Sequence, residues 1–133
     1  MSNDQPDTAR SAIIRSLNDR FRQTFTGGAV VITAGIVALD EATRQRIFAA
    51  VQAFDAFDED NDPSWRSQAP LGRAEHDFGA VEIDVCLPGS ARTRERVFFK
   101  LAYYDLTRAM HSEDAADPAK TERVMTIMLS DEY

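Results

Sequence analysis

Two stretches of this chain carry residue types that could do chemistry. The first is Glu75-His76-Asp77-Phe78-Gly79, a histidine flanked by carboxylates. Flanking acids stabilise a protonated imidazole, so His76 and Asp77 are the candidates for general-base chemistry or metal ligation. Alternating extended geometry would send Glu75 and Asp77 to the side opposite His76, and the one other histidine, His111, is far off in sequence. A hydrogen-bonded structural histidine is the plainer role, and no catalytic residue is assigned.

The second stretch runs from Ala53 to Pro63 and places Asp55, Asp58, Glu59, Asp60 and Asp62 within eight residues, with no cation among them. Such a run is solvated, and it can present a negative surface to a basic partner. Asp58-x-Asp60-x-Asp62 has the opening spacing of a calcium loop. The sixth position is Pro63 instead of glycine and the twelfth is Ala69 instead of glutamate, so the motif fails. Trp65 follows the acids and is an aromatic anchor for the same partner, although packing onto the domain is its plainer role. Tyr103, Tyr104 and Tyr133 are further aromatics for such a surface. Phe54 and Phe57 read as core residues at a helix end.

Other motifs give nothing. Thr26-Gly27-Gly28 precedes an apolar run, whereas phosphate loops follow a strand and open a helix. Ser11, Ser16, Ser64 and Ser67 stand in no nucleophile-elbow pattern. The single cysteine, Cys86, excludes an intramolecular disulfide and reads as a small buried hydrophobe between Val85 and Leu87. No cofactor or metal is implied.

The chain has 133 residues, and its size suits one domain, with residues 1–6 as a disordered tail. Hydrophobic residues make up 44% and charged residues 28%, the balance of a folded globular protein. No apolar run is long enough for a membrane helix, and a cytoplasmic location is expected. The net charge of −7 argues against direct nucleic-acid binding, because phosphate affinity comes from lysine and arginine. Arg92, Arg94 and Arg96 keep a local basic patch open. Thirteen of the fifteen cations are arginine, which favours forked pairing with carboxylates.

These residues must be positioned by a small set of elements. Asp7 can cap a first helix running to Thr24, with Ile13, Ile14, Leu17, Phe21 and Phe25 as its apolar stripe and Arg15, Asp19, Arg20 and Arg22 on the opposite side. Thr26-Gly27-Gly28 turns the chain. Ala29 to Thr33, rich in β-branched residues, reads as a strand covered on both faces and central in its sheet. Ala34-Gly35 ends it, and Asp40 caps a second helix whose buried side carries Ile47, Phe48, Val51 and Phe54, with Arg44, Gln45 and Gln52 facing out. Ser64 to Ala74 has no periodicity and reads as a loop.

Val81, Ile83, Val85 and Leu87 alternate with Glu82 and Asp84, the mark of a half-buried strand. Pro88 to Arg94 reads as a turn. Val97, Phe99, Leu101 and Tyr103 share one face of a third strand, paired with the second as an antiparallel hairpin. Asp117-Pro118 signals a last helix from Pro118 to Ser130. A strand from Arg123 to Leu129 competes, since five of those seven residues are apolar. The expected class is α+β: a mainly antiparallel sheet of three or more strands packed by two to three helices, in the order α-β-α-β-β-α.

Three blocks then stand out. Leu17-Asn18-Asp19-x-Phe21 leads into Thr26-Gly27-Gly28-x-Val30-Val31-Ile32-Thr33-Ala34-Gly35. Phe54-Asp55-x-Phe57-x-x-Asp60-Asn61-Asp62-Pro63 and Glu75-His76-Asp77-Phe78-Gly79 follow. Tyr103-Tyr104-Asp105, Ala116-Asp117-Pro118 and Thr126-Ile127-Met128-Leu129-x-x-Glu132-Tyr133 close the chain. Over residues 12 to 133 the combination resembles a family of small bacterial proteins classed as a domain of unknown function. The family's members are similar in length and often carried on plasmids and other mobile elements. The resemblance implies no established activity, substrate or catalytic residue, and Cys86 to Arg94 is longer than the family's usual link between the two hairpin strands.

The expected function is a non-enzymatic interaction module of a mobile element, using Asp55, Asp58, Glu59, Asp60 and Asp62 against a basic protein surface. An anti-defence inhibitor that mimics nucleic acid is one version. The alternatives are a small hydrolytic or metal-dependent enzyme centred on His76 and Asp77, and a homo-oligomer formed through an apolar edge strand.

Overall fold

The computed structural model describes residues 4–55, 75–86 and 92–133. Asp58, Glu59, Asp60, Asp62, Phe57 and Trp65 lie outside the described residues, as do the Ser64–Ala74 loop and the side chains of Asp7 and Cys86.

Helix α1 spans Asp4–Thr24, so it begins three residues ahead of the expected cap at Asp7. Its C-terminus is not turned by glycine alone. Phe25 itself takes the left-handed conformation (φ 57°) and closes the helix with its N–H on the Phe21 carbonyl at 2.6 Å. A β-carbon in that region costs energy, and the Phe25 ring recovers it by packing edge-on against Phe48 at 5.9 Å. Gly27 (φ 98°) then makes the second bend.

Strand β1 (Gly28–Ile32) is followed by a four-residue helix α2 (Ala34–Val37) where a simple strand end was expected, and then by α3 (Glu41–Ala53). Asp40 stands at the N-cap of α3 in extended conformation, as its sequence position suggests. Its carboxylate accepts the Thr43 hydroxyl instead of a backbone N–H. The hairpin follows as β2 (Phe78–Cys86) and β3 (Arg92–Tyr104), antiparallel, with Cys86 opposite Arg92. Arg92 to Arg94 are therefore strand residues, not part of the turn.

The last segment is strand β4 (Glu122–Leu129), ending in a short 3-10 turn at Ser130–Glu132. This corrects the expected Pro118–Ser130 helix and selects its competitor. Asp117-Pro118 makes a turn, with the Asp117 carboxylate accepting the Ala119 N–H at 2.9 Å. The physical reason lies in the sheet order β1-β4-β3-β2. β4 pairs parallel with β1 and antiparallel with β3, so its backbone groups find partners on both sides.

The same order corrects the reading of β1. It is an edge strand, and Val31 is 46% exposed. β4 lies inside the sheet and is buried on both faces, with Met125 and Ile127 on one and Met128 on the other.

The α+β class and the mainly antiparallel sheet are as expected. Phe21 of α1, Ile36 of α2 and Ile47 and Val51 of α3 join Val85, Val97, Phe99, Leu101, Met125 and Ile127 in one core on one face of the sheet. Phe78, Ala80, Phe98 and Met128 form a smaller cluster on the other, with Tyr133 edge-on to Phe78 at 5.4 Å and to Phe98 at 5.5 Å. Among the described residues no helix is long and apolar enough to cross a membrane.

Candidate functional site

The α1 stripe is not wholly apolar. Ile14, Asn18, Phe21, Arg22 and Phe25 recur at three and four residues, so two polar side chains share the buried face. Asn18 is 0% and Arg22 is 2% exposed, while Ile13, expected inside, is 49% exposed. Arg22 and Asp19 are therefore not simply solvent-facing, as the amphipathic reading had them. A buried polar residue is retained only where its hydrogen bonds are met, and these meet an extended network.

Asn18 is the hub. Its amide donates to the Tyr103 hydroxyl at 2.8 Å and to the Glu75 carbonyl at 2.9 Å, and its oxygen accepts from Nε of Arg123 at 2.8 Å. The Tyr103 hydroxyl in turn donates to the Glu75 carboxylate at 2.9 Å. Burial first, and then the negative Asp77 and Glu75, push the Tyr103 phenol well above its ordinary pKa. Burial also lowers the Arg123 guanidinium from its ordinary value. α1, β3, β4 and the residues leading into β2 are thus tied together at one end of the core. Tyr103 serves this network instead of a partner surface.

At the next residue of α1, the Oδ1 of Asp19 meets two groups: Nη1 of Arg22 at 2.8 Å and Nδ1 of His76 at 2.9 Å. His76 does not sit in an alternating strand. It precedes β2 in a left-handed conformation (φ 57°), which aims its ring at α1. The carboxylate that meets the imidazole is thus Asp19, 57 residues away in sequence. Asp77 accepts the Leu101 N–H on its backbone carbonyl at 2.8 Å. Asp19, Arg22 and His76 line a depression of about 360 Å³ whose far rim is Gln52, Phe54 and the exposed Asp55. A carboxylate on Nδ1 fixes the tautomer and makes Nε2 the basic nitrogen, the arrangement a general base requires.

Of the acidic run, Asp55 is the described member, and it falls on this rim. His111 is elsewhere: it stacks on Tyr104 (5.9 Å, 6°) and lines a separate depression with Asp105 and Lys120. Among the described residues no three His, Cys, Asp or Glu side chains gather in a group that could hold a metal ion. The arginines pair as their chemistry favours. Arg94 bridges Glu82 at 2.9 Å and Asp84 at 3.0 Å, while the Arg96 guanidinium lies 5.6 Å over the Phe98 ring.

Sequence reasoning missed Asn18, Asp19, Arg22 and Arg123. The signal was present in two polar residues at core spacing on α1, and in an arginine opening a β-branched run.

No curated protein and no solved structure matches the chain. Residues 32–132 match the family described as "Protein of unknown function (DUF3768)", which covers most of the chain, and the protein belongs to that family.

Proposed function

We propose that this protein is an acidic interaction module, cytoplasmic and serving a bacterial mobile element, which binds a basic surface on a partner protein. The observation that carries the reading is the way α3 ends. Phe54 packs edge-on against the buried Phe99 at 5.2 Å, and the next residue, Asp55, stands exposed. The root of the acidic run is therefore fixed to the sheet, and Asp58, Glu59, Asp60 and Asp62 follow it directly in the chain. The charge of that segment steers a basic partner. Trp65 supplies an aromatic anchor beside the acids. An inhibitor whose carboxylates compete for a nuclease groove that normally takes phosphate is the specific form of this reading.

The test is capture from host lysate at low and moderate salt, read by mass spectrometry, with the protein and a variant carrying D55N, D58N, E59Q, D60N and D62N. A basic partner retained by the protein, weakened by salt and lost by a folded variant supports the reading. Equal capture by both removes it.

The contact of His76 Nδ1 with Asp19 at 2.9 Å favours a second reading, a small hydrolytic enzyme centred on His76 with Asp77 beside it. Turnover of a panel of chromogenic carboxylic and phosphate esters, abolished in folded His76→Ala and Asp19→Asn variants, would establish it. A panel without turnover removes it.

A further inference from the structure

Four arginines each meet a carboxylate: Arg10 at Asp114 (3.0 Å), Arg22 at Asp19 (2.8 Å), Arg94 at Glu82 (2.9 Å) and Arg108 at Glu122 (3.0 Å). Arg20, Arg44, Arg46 and Arg123 make no ion pair among the described residues, in a chain whose net charge is −7. Arg123 is the most telling of these, because it is only 3% exposed. Its register opposite Tyr103, inward with Met125 and Ile127, places a guanidinium at the end of the core. Nε goes to the Asn18 amide oxygen and Nη2 to the Ala115 carbonyl, both neutral acceptors. Nη1 makes no hydrogen bond among the described residues. The Glu75 carboxylate acts on Arg123 only at longer range, being held by the Tyr103 hydroxyl.

A buried charge without a counter-ion is costly, and neutral acceptors solvate it without neutralising it. Arg123 and Arg20 line one depression of about 300 Å³, together with Leu17, Thr26, Gly27 and Thr121. Gly27, in a left-handed conformation, also lines it, and a side chain there would meet nothing within 4 Å.

We propose that this depression binds a small oxyanion, the phosphate or carboxylate group of a low-molecular-weight ligand. The Arg123 guanidinium, held through Nε and Nη2, lines the site from within, and the exposed Arg20 lines it from the surface. Guanidinium groups suit this task because they stay charged and present forked donors to planar or tetrahedral oxygens. Asp55, Asp19 and His76 line a different depression, and the proposal does not depend on either reading above.

The experiment is titration with inorganic phosphate, and in parallel with succinate, at constant ionic strength held with sodium chloride. Calorimetry and thermal melting are read for the protein, Arg20→Gln and Arg123→Lys. Saturable binding of one anion, weakened about tenfold or more in Arg20→Gln with its anion-free melting point unchanged, is the expected result. Preference for phosphate or for succinate identifies the group recognised. Arg123→Lys keeps the charge and loses the fork, so it binds more weakly still; if it fails to fold, Arg20→Gln decides alone. No saturable effect beyond the chloride control, or equal affinity in Arg20→Gln, overturns the proposal.

Discussion

Tyr103 and Arg123 face each other directly across β3 and β4, and the Arg123 guanidinium lies 5.3 Å over the Tyr103 ring. This cation–π contact joins the inward ends of the two strands and holds both side chains against Asn18 of α1. The polar end of the core is therefore a shared structure of three elements, and changes there act on stability before they act on any surface.

Tyr103→Phe removes the hydroxyl that accepts from Asn18 and donates to Glu75. Leaving those groups unsatisfied should cost about 1–3 kcal/mol, measured by urea denaturation at neutral pH. The pH dependence has a definite sign. The phenol is raised above its ordinary value of 10.0, so the folded state holds that proton more tightly than the unfolded chain. Its contribution is fully present below pH 10 and is lost as pH climbs beyond it. Urea midpoints between pH 9 and 11.5 should fall less steeply in Tyr103→Phe, and parallel curves would contradict the assignment.

Gly28 of β1 lies against both β4 and α1. A Cβ there would run into the Arg123 carbonyl and approach the Phe21 ring at 2.9 Å. Gly28→Ala should destabilise by about 1–3 kcal/mol through overpacking, even though alanine stiffens the unfolded chain. A neutral or stabilising result in a denaturation series would show that β1 can shift away from β4.

Glu132 closes the C-terminal end. Its carboxylate accepts the Thr33 hydroxyl at 2.6 Å, the Gly35 N–H at 2.9 Å and the Leu129 N–H at 3.0 Å. The Thr33 hydrogen bond is the main reason its pKa lies below the ordinary 4.5. That stabilisation is present above pH 4.5 and fades as pH drops through the lower folded value. Glu132→Gln should melt roughly 2–5 °C lower at pH 7 and lose that deficit progressively below pH 4.5. A deficit that persists at pH 3 would point to packing instead of charge.

His76 combines a strained backbone with a useful side chain. Its φ of 57° favours glycine, so His76→Gly should be less destabilising than His76→Ala by up to about 1 kcal/mol. Both lose the contact with Asp19. Comparing the two by thermal melting separates the backbone role from the imidazole's, and equal melting points would mean that the conformation carries no strain.

The extent to which the sequence revealed this molecule varied by element. The hairpin was legible because Val81, Ile83, Val85, Val97, Phe99 and Leu101 alternate cleanly, and alternation is a local property of a half-buried strand. The α3 face was legible through Ile47 and Val51 for the equivalent helical reason. Asp19 could not be found as the partner of His76, because a contact spanning 57 residues has no local signature.

Residue order alone determined the α+β class, the hairpin, the apolar face of α3 and the acidic run that begins at Asp55. Tertiary structure decided which apolar run takes the middle of the sheet. β1 and β4 are both rich in β-branched and aliphatic residues, and local propensity ranks them alike. β4 holds the centre because its backbone finds partners in both β1 and β3 and its side chains meet apolar layers on both faces. The same pairing carries Arg123 inward beside Tyr103, which turns an ordinary surface residue type into a buried charge.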